Sequence, residues 1–355
     1  MKKIILMIIF SLCLVGCSNE KTYEKYQTQF YDCFDTVIDV AVYAQSEKEG
    51  QRQLELIKDE FIRLHKLFDR YNNYEDVVNF KDVNDKAGIE PVKVSDEAFD
   101  LMKFSIDSYN NISRKVNIAM GPVVDMWTEY RELYEGGTTK EEVTERLGSP
   151  LPTKERLESL RPLLNMDNIV LDEKEKSIYL TEKGMEVEMG AVAKGYATEL
   201  VAQYAEKNGV KSAIISAGGN VRIIGKPLVE GRDTFLVGVR NPNAEEGAQN
   251  SVQAVLAVND TSIVTSGDYQ RYFDLDGRRY SHIIDPDTLY PDTYFKSVTI
   301  TNKDSGLCDF LSTAAFLSTE EEAVNMLQKE DADGYFIDLK GNVSYTKGFE
   351  NILKD

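Results

Sequence analysis

Hydrophobic residues follow two different periods along this chain, and each period predicts one type of element. Residues 36–43 (TVIDVAVY) alternate as a strand does. Residues 49–71 predict an amphipathic helix with one apolar stripe, formed by Leu54, Ile57, Phe61, Leu64 and Phe68. A second helix is predicted to begin at Ser95 or Asp96, either of which can cap it, and to end near Ser113. Residues 76–91 are polar and predict a loop, and residues 138–162 predict a charged surface insertion of helix and loop.

From residue 168 onward the pattern is richer in strands, because short β-branched runs are separated by glycine-containing turns. The predicted strands are 169–171, 177–181, 213–216, 234–240, 253–258, 271–275, 279–284 and 296–301, and the helices between them are 193–208, 305–317 and 320–328. Runs of hairpins with a few helices favour an α+β fold over a doubly wound sheet. The chain has no repeats or low-complexity tracts, and the pattern shows no clear domain boundary, so residues 31–355 are predicted to form one catalytic unit.

The N-terminus has the features of an export signal. Lys2 and Lys3 precede an apolar run that ends in Leu-Val-Gly-Cys at residues 14–17. The run is too short for a stable transmembrane span, and a cysteine after small residues is typical of lipoprotein processing. The prediction is a signal peptide over residues 1–16, a lipidated Cys17 and a polar stalk over residues 17–30, holding the body at the outer face of the cell membrane. The alternative is an ordinary signal peptide with an incidental cysteine.

The amino-acid composition excludes some classes of binding partner and metal site. Besides Cys17 the mature chain keeps Cys33 and Cys308, which cannot form a disulfide framework or a zinc cluster. A formal net charge of −19 argues against binding to nucleic acid or to anionic lipid headgroups. It also means that a phosphate ligand would need a cation or focused backbone donors.

The first segment with candidate chemistry is residues 188–197 (EMGAVAKGYA), where small residues lead directly into a predicted helix. A helix N-terminus has unpaired N–H groups and the positive end of the helix dipole, which suit a phosphate. Lys194 adds a mobile positive charge. Close packing of helices would explain the glycines equally well.

The second segment joins residues 265–272 (TSGDYQRY) to residues 280–286 (YSHIIDP) across an Asp-Gly turn. The chain has only two histidines. His65 lies in a charged helix and is predicted to be solvated. His282 lies at the end of a strand, where general bases are often held, and it is a candidate base.

The third segment is residues 307–315 (LCDFLSTAA). Asp309 and Thr313 are four residues apart on a predicted helix and therefore share one face. A carboxylate and a hydroxyl on one face provide hard oxygen ligands of the kind magnesium prefers. The alternative is an acidic residue favourable to the helix dipole beside a threonine that bonds back to its own helix.

Together these segments resemble the ApbE-type FAD:protein FMN transferases, or flavin transferases. The resemblance runs from about Phe34 to the C-terminus. The motifs that carry it are FDT (34–36), FDRY (68–71), VNIAMGP (116–122), GAVAKGYA (190–197), SAGGN (216–220), TSGDYQRY, YSHIIDP and CDFLSTA (308–314). The resemblance implies an ApbE-like α+β fold with mixed or antiparallel sheets and flanking helices.

The resemblance also implies roles for single residues. Mg²⁺ would be held by Asp309, Thr313 and the backbone carbonyl of Ala191, with Lys194 near the phosphates of FAD. His282 matches the proposed base, oriented by Asp285. The remaining residues expected to line the FAD pocket are Tyr71, Asn117, Glu188, Gly218, Gly219, Ser266, Gly267, Asp268 and Ile284.

The implied reaction is transfer of FMN from FAD to a Thr or Ser hydroxyl of an exported electron-transfer flavoprotein, with release of AMP. The alternatives are a magnesium-dependent FAD pyrophosphatase, in which water is the acceptor, and an extracytoplasmic FAD-binding lipoprotein without chemistry. The chain departs from the common family pattern at Glu188, Ala191, Leu289 and Cys308. Glu188 replaces an aspartate, which is expected to affect the contact with the flavin. Leu289 replaces a glycine, which is expected to affect the geometry of the turn after residue 285.

Overall fold

The computed structural model describes residues 22–244, 248 and 250–354. Its strands are β1 (Glu24–Cys33), β2 (Thr36–Ala44), β3 (Val92–Lys93), β4 (Ile169–Asp172), β5 (Ser177–Leu180), β6 (Ala213–Ala217), β7 (Asn220–Ile224), β8 (Phe235–Arg240), β9 (Val252–Val258), β10 (Ser262–Gly267), β11 (Tyr272–Leu275), β12 (Arg278–Ser281), β13 (Phe295–Asn302), β14 (Asp333–Asp338) and β15 (Val343–Tyr345). The helices are α1 (Glu47–Phe68), α2 (Phe80–Asp85), α3 (Asp96–Asn111), α4 (Gly121–Glu135), α5 (Lys140–Leu147), α6 (Lys154–Leu160), α7 (Ala193–Lys207), α8 (Ser305–Phe316), α9 (Glu320–Lys329) and α10 (Lys347–Glu350), with short 3₁₀ turns at Ile118–Met120, Arg161–Leu164 and Met166–Asn168.

A central sheet of eight strands runs in the order β1-β2-β6-β7-β10-β13-β14-β15. Three smaller sheets are formed by β11 with β12, by β3, β5 and β4, and by β8 with β9. Every pairing in the described chain is antiparallel. The predicted α+β class is therefore confirmed, with antiparallel sheets rather than mixed ones.

Three apolar cores hold these elements together. The largest lies between the central sheet and helices α1, α3, α7 and α8. A second lies on the opposite face of the sheet, under β8, β9 and α10. The third joins α4, α5 and α6 to the β11–β12 hairpin, where Trp127 stacks on Tyr280 and Phe273 stacks on both Tyr280 and Tyr134. These stacked rings fix the hairpin to α4.

Several predicted elements are confirmed with small changes of boundary. Helix α1 begins after Ser46, whose side chain caps it, and ends at Phe68, three residues before the predicted end. Helix α3 begins after Ser95, and α7, α8 and α9 match their predicted ranges within two residues. The predicted loop over residues 76–91 contains α2, whose Asn79 forms a capping box with Asp82.

The N-terminal boundary of the body was predicted too late. Residues 24–30, assigned to the stalk, belong to β1, which pairs with β2 from Glu24↔Ala44 onward. The inward residues Tyr26, Thr28 and Phe30 do alternate, but the outward Gln27 and Gln29 make this edge strand look like a polar linker. The predicted signal peptide and Cys17 lie outside the described residues.

No helix in the described part of the chain is long and apolar enough to cross a membrane.

Candidate functional site

One cleft of about 610 Å³ brings the three sequence segments together. Its walls come from the start of α7, from α8, from the end of β10, from α4 and from the residues that flank β11 and β12. The predicted site residues that line it are Tyr71, Asn117, Glu188, Ala191, Lys194, Gly218, Ser266, Gly267, His282, Ile284, Asp309 and Thr313. A volume of this size is in the range of small-molecule and cofactor sites.

Three predicted site residues lie outside this lining. The carbonyl of Gly219 accepts the N–H of Thr265 (3.1 Å), so its backbone serves the pairing of β7 with β10. The N–H of Asp268 donates to the carbonyl of Lys296 (3.1 Å) beyond the end of β10. Asp285 forms an ion pair with Lys115. Gly219 and Asp268 were expected to line the FAD pocket and Asp285 to orient His282; none of the three is among the residues that line the cleft.

Helix α7 begins at a loop that is held by its own side chains. Glu188 accepts the N–H of Gly190 through Oε1 (2.7 Å), and Lys194 donates to the carbonyl of Gly190 (3.1 Å). The extra methylene of Glu188, compared with the usual aspartate, is thus accommodated within the loop. The lysine lies at the cleft wall, where its charge can reach an anion.

Asp309 ties α8 to the first turn of α7. Its Oδ2 accepts the N–H of Gly195 (2.8 Å), one of the donors in the first turn of α7 that have no partner within the helix. Ala191 precedes the N-cap residue Val192, so its carbonyl is outside the helix, and the residue lines the cleft. A β-carbon on Gly195 would lie 2.3 Å from the carbonyl oxygen of Ser305 and 2.4 Å from Cβ of Asp309. The glycine is thus required by helix packing, as the alternative interpretation proposed.

Asp309 and Thr313 are buried on the same face of α8. Burial raises the pKa of Asp309, while the positive charge of Lys194 acts in the opposite direction. The hydroxyl of Thr313 lies 3.5 Å from that of Ser266, which also contacts Ser312 (2.8 Å). Within the described chain there is no group of three or more His, Cys, Asp or Glu residues suited to a metal. A cation here would therefore rely on one carboxylate, one hydroxyl and a backbone carbonyl.

His282 is held by the backbone of Arg271. Both its N–H (3.0 Å) and its Nδ1 (3.2 Å) lie at hydrogen-bond distance from the Arg271 carbonyl. Since a carbonyl can only accept, Nδ1 carries the proton and Nε2 keeps its lone pair. Burial of the ring, and then the positive charges of Lys194, Arg271 and Arg131, lower the pKa of His282 to about 3. The imidazole is therefore neutral and able to accept a proton at physiological pH.

The predicted orientation of His282 by Asp285 is wrong. Both carboxylate oxygens of Asp285 accept from the ammonium group of Lys115 (3.1 and 2.8 Å). The same lysine also contacts Asp287 (2.6 Å). Asp285 therefore braces the turn that follows His282, and the Arg271 carbonyl orients the ring.

That turn keeps its shape without the usual glycine. Leu289 has a φ of 60°, in the left-handed region, and it is fully buried. Its N–H donates to the carbonyl of Asp285 (2.8 Å), and its own carbonyl accepts from Nε1 of Trp127 (2.9 Å). A leucine in this conformation costs about 1–2 kcal/mol, which its burial offsets.

A cluster of one arginine and three acidic residues at the cleft was not predicted from the sequence. Arg70 is buried and donates to both oxygens of Asp125 (2.7 and 2.8 Å), to Glu186 (2.6 Å) and to Glu188 (2.6 Å). Its guanidinium also lies over the ring of Tyr71, 4.8 Å from the ring centroid. The only signal was the FDRY motif, because the acidic partners come from positions more than fifty residues away.

His65 is also placed differently from the prediction. It is half-buried at the cleft lining rather than solvated. Its Nδ1 accepts the N–H of Phe34 (3.3 Å), and its ring meets the ring of Phe34 edge to face at 5.3 Å. A charged helix sequence gave no indication that the turn between β1 and β2 would cover this position.

Comparison with known proteins gives a consistent result. Residues 34–336 match the model of the ApbE family. A FAD:protein FMN transferase of Klebsiella pneumoniae is 32% identical over 281 residues, which cover 77% of this chain and 81% of that protein. The FAD:protein FMN transferase of Haemophilus influenzae is 26% identical over 98% of this chain and 96% of its own length.

Solved structures show the same fold. The crystal structure of the ApbE protein from Thermotoga maritima superposes with a TM-score of 0.78 at 25% identity, covering 94% of this chain and 100% of that one. The flavin transferase ApbE from Vibrio cholerae superposes with a TM-score of 0.74 at 22% identity, covering 93% of this chain and 100% of that one, which supports the fold. With a family match over most of its length, a relative above 30% identity and this fold, the chain belongs to the ApbE family.

Proposed function

We propose that this protein transfers FMN from FAD to a Thr or Ser hydroxyl of an acceptor flavoprotein, with Mg²⁺ at the site. One observation carries the proposal. A histidine with its Nε2 lone pair available lines the same cleft as a buried carboxylate and hydroxyl pair, His282 opposite Asp309 and Thr313. This combination suits phosphoryl transfer, which needs a base for the attacking hydroxyl and a centre that neutralises phosphate charge.

The residues present fit a magnesium ion. Asp309, Thr313 and the carbonyl of Ala191 offer three hard oxygens at the cleft, and Ala191 precedes α7, so its carbonyl is not used by the helix. Magnesium commonly takes one or two carboxylates and completes its shell with water and substrate phosphates, so a larger acidic cluster is not required. Bound there, Mg²⁺ would neutralise the negative charge that develops on the phosphate oxygens.

Residues of the chain itself accept the proton of the attacking hydroxyl and hold the substrate in position. Nε2 of His282 takes the proton of the acceptor hydroxyl, whose oxygen forms a bond to the FMN-side phosphorus of FAD. The bond from that phosphorus to the bridging oxygen breaks, and AMP leaves with that oxygen. The negative pyrophosphate raises the pKa of the nearby imidazole, which brings the base closer to the working pH. Lys194 lies where it can pair with the phosphates.

The proposal is tested by incubating the full chain, purified in detergent, with FAD, Mg²⁺ and an FMN-binding domain of an exported flavoprotein. Intact mass spectrometry should show an acceptor heavier by one FMN less water, and the gain should disappear with EDTA or when the acceptor hydroxyl is removed. Release of FMN and AMP without a mass gain would instead support the pyrophosphatase. FAD that stays intact with several acceptors would support a binding protein.

We also infer that Cys17 is lipidated and tethers the protein to the outer face of the cell membrane, where exported acceptors are found. The Leu-Val-Gly-Cys stretch behind a short apolar run supports this inference. The Cys17→Ser variant should leave the membrane fraction or retain its signal peptide, as fractionation and N-terminal mass analysis would reveal. A Cys17→Ser variant that is processed and membrane-bound as in the wild type would contradict it.

A further inference from the structure

The backbone carbonyl and the guanidinium of Arg271 form hydrogen bonds with residues on different walls of the cleft. Its carbonyl accepts both the N–H and the Nδ1–H of His282 (3.0 and 3.2 Å). Its guanidinium donates through Nη2 to the carbonyl of Asp35 (2.7 Å), in the turn between β1 and β2. The residue that orients His282 is therefore itself held by a hairpin more than two hundred residues away in the sequence.

The turn that accepts the hydrogen bond from the guanidinium is held in place by the residues around it. Phe34 and Asp35 have φ values of 54° and 48°, so both occupy the left-handed region and form a tight turn. The N–H of Phe34 donates to His65 on α1, and its ring packs edge to face on His65 and on Phe61 in the main core. The neighbouring Thr36 packs so closely on Gly218 that a β-carbon there would meet its Oγ1. The turn is thus fixed to both α1 and the central sheet.

The hairpin that carries His282 needs such a support. β11 and β12 pair with each other in a separate two-stranded sheet and pack on α4 in the third core. Asp309 and Thr313 lie on α8, in the main core. The hydrogen bond from Arg271 to Asp35 joins these two bodies directly at the cleft.

We infer that Arg271 is a positioning residue for His282: by bridging the two hairpins it holds the imidazole in the Nδ1–H tautomer and at a fixed place relative to Asp309 and Thr313. The inference adds a positioning residue to the proposed function, and its prediction about the rate of FMN transfer rests on that proposed function. Three cations face the imidazole, namely Lys194 on α7, Arg131 on α4 and Arg271 itself before β11. Arg271 therefore acts on His282 through a hydrogen bond of its backbone and through its charge.

The chain is well suited to a direct test, because His65 and His282 are its only histidines. Their neutral forms should be opposite tautomers, since Nδ1 of His65 accepts a hydrogen bond and Nδ1 of His282 donates one. Long-range proton–nitrogen NMR on the full chain in detergent, labelled with ¹⁵N-histidine, separates the two tautomers. A His65→Asn sample assigns the signals.

In Arg271→Met we expect His282 to lose its single Nδ1–H signal and to titrate at higher pH than in the wild type, because a positive charge and the bridge are both gone. The turnover rate of FMN transfer should fall on the order of 10²-fold, with little change in the KM for FAD. Arg271→Lys should restore the titration, because the charge returns, and part of the rate.

Arg279→Met is the matched control, because Arg279 is a cation on the same hairpin whose side chain lies on Asp274 and Tyr272. It should leave the His282 signal and the rate as in the wild type. Fluorescence of the single tryptophan, Trp127, which stacks on Tyr280, reports that the hairpin core is folded. If Arg271→Met does not fold, Arg271→Lys carries the test through its rate, which should lie below that of the wild type because lysine restores the charge but not the planar guanidinium. A wild-type rate in Arg271→Lys would then overturn the inference.

A wild-type tautomer and titration in Arg271→Met overturn the inference, whatever the rate. An altered tautomer with an unchanged rate overturns it as well, because positioning would then have no effect on the reaction. If no acceptor is ever modified, the proposed function fails, and the NMR result still decides whether Arg271 holds His282.

Discussion

Replacing His282 with alanine should lower the rate of FMN transfer by about 10²- to 10⁴-fold, the usual contribution of a general base. The reason is geometric: Nδ1 of His282 is committed to the Arg271 carbonyl, and Nε2 is the nitrogen left to accept the hydroxyl proton. Binding of FAD should change little, because the loop before α7 and the residues of α8 are untouched. The rate is measured by intact mass of the acceptor over time, and binding by quenching of flavin fluorescence.

His282→Gln provides the control for shape. Its amide can still donate a hydrogen bond toward the Arg271 carbonyl, but it cannot accept a proton at neutral pH. Glutamine should therefore be as inactive as alanine. If the alanine variant transfers FMN within an order of magnitude of the wild-type rate, His282 is not the base, and another group or water removes the proton.

The second large effect is expected for Asp309→Asn, which should abolish the magnesium dependence and lower transfer by at least about 10³-fold, since a bound metal supplies several kcal/mol to such a transition state. Asparagine keeps an oxygen that can accept the N–H of Gly195, so the junction of α7 and α8 remains. It also removes a buried charge, so the melting temperature without metal should not fall. Magnesium should raise the melting temperature of the wild type and not that of the variant.

Asp304→Asn is the matched control on the same helix. Asp304 caps α8 through the N–H of Leu307 (3.0 Å), is exposed and lies outside the cleft lining. Asparagine is an equally good N-cap, so transfer and its magnesium dependence should persist. Loss of activity in both variants would mean that α8 is sensitive to any change, and a fully active Asp309→Asn would remove the proposed metal site.

The parts of the site that follow from short-range spacing could be predicted from sequence. Asp309 and Thr313 share a face because four residues separate them on a helix, and the small residues before α7 do open into a helix N-terminus. His282 was found because the chain has only one other histidine and because it lies at the end of a predicted strand. These features depend on local geometry, which can be predicted from the spacing of residues along the sequence.

The contacts that cross the fold could not be read in this way. Asp285 was expected to orient His282, but the backbone carbonyl of Arg271, across the hairpin, does this instead. The acidic partners of Arg70 come from α4 and from the segment before α7, and no pattern joins them to the FDRY motif. Helix α4 was not predicted; Gly121-Pro122 stands at its start, where proline is favourable in the first helical turn.

The link between Asp309 and Gly195 has a consequence for the choice of ion. One oxygen of the carboxylate already accepts an N–H, so a cation meets mainly the other oxygen. Calcium often binds both oxygens of one carboxylate and collects six to eight ligands, whereas magnesium accepts single oxygens in a small octahedron and keeps its waters. For the proposed metal site, this hydrogen bond at the start of α7 favours a small, hydrated ion over a larger ion that needs more oxygens.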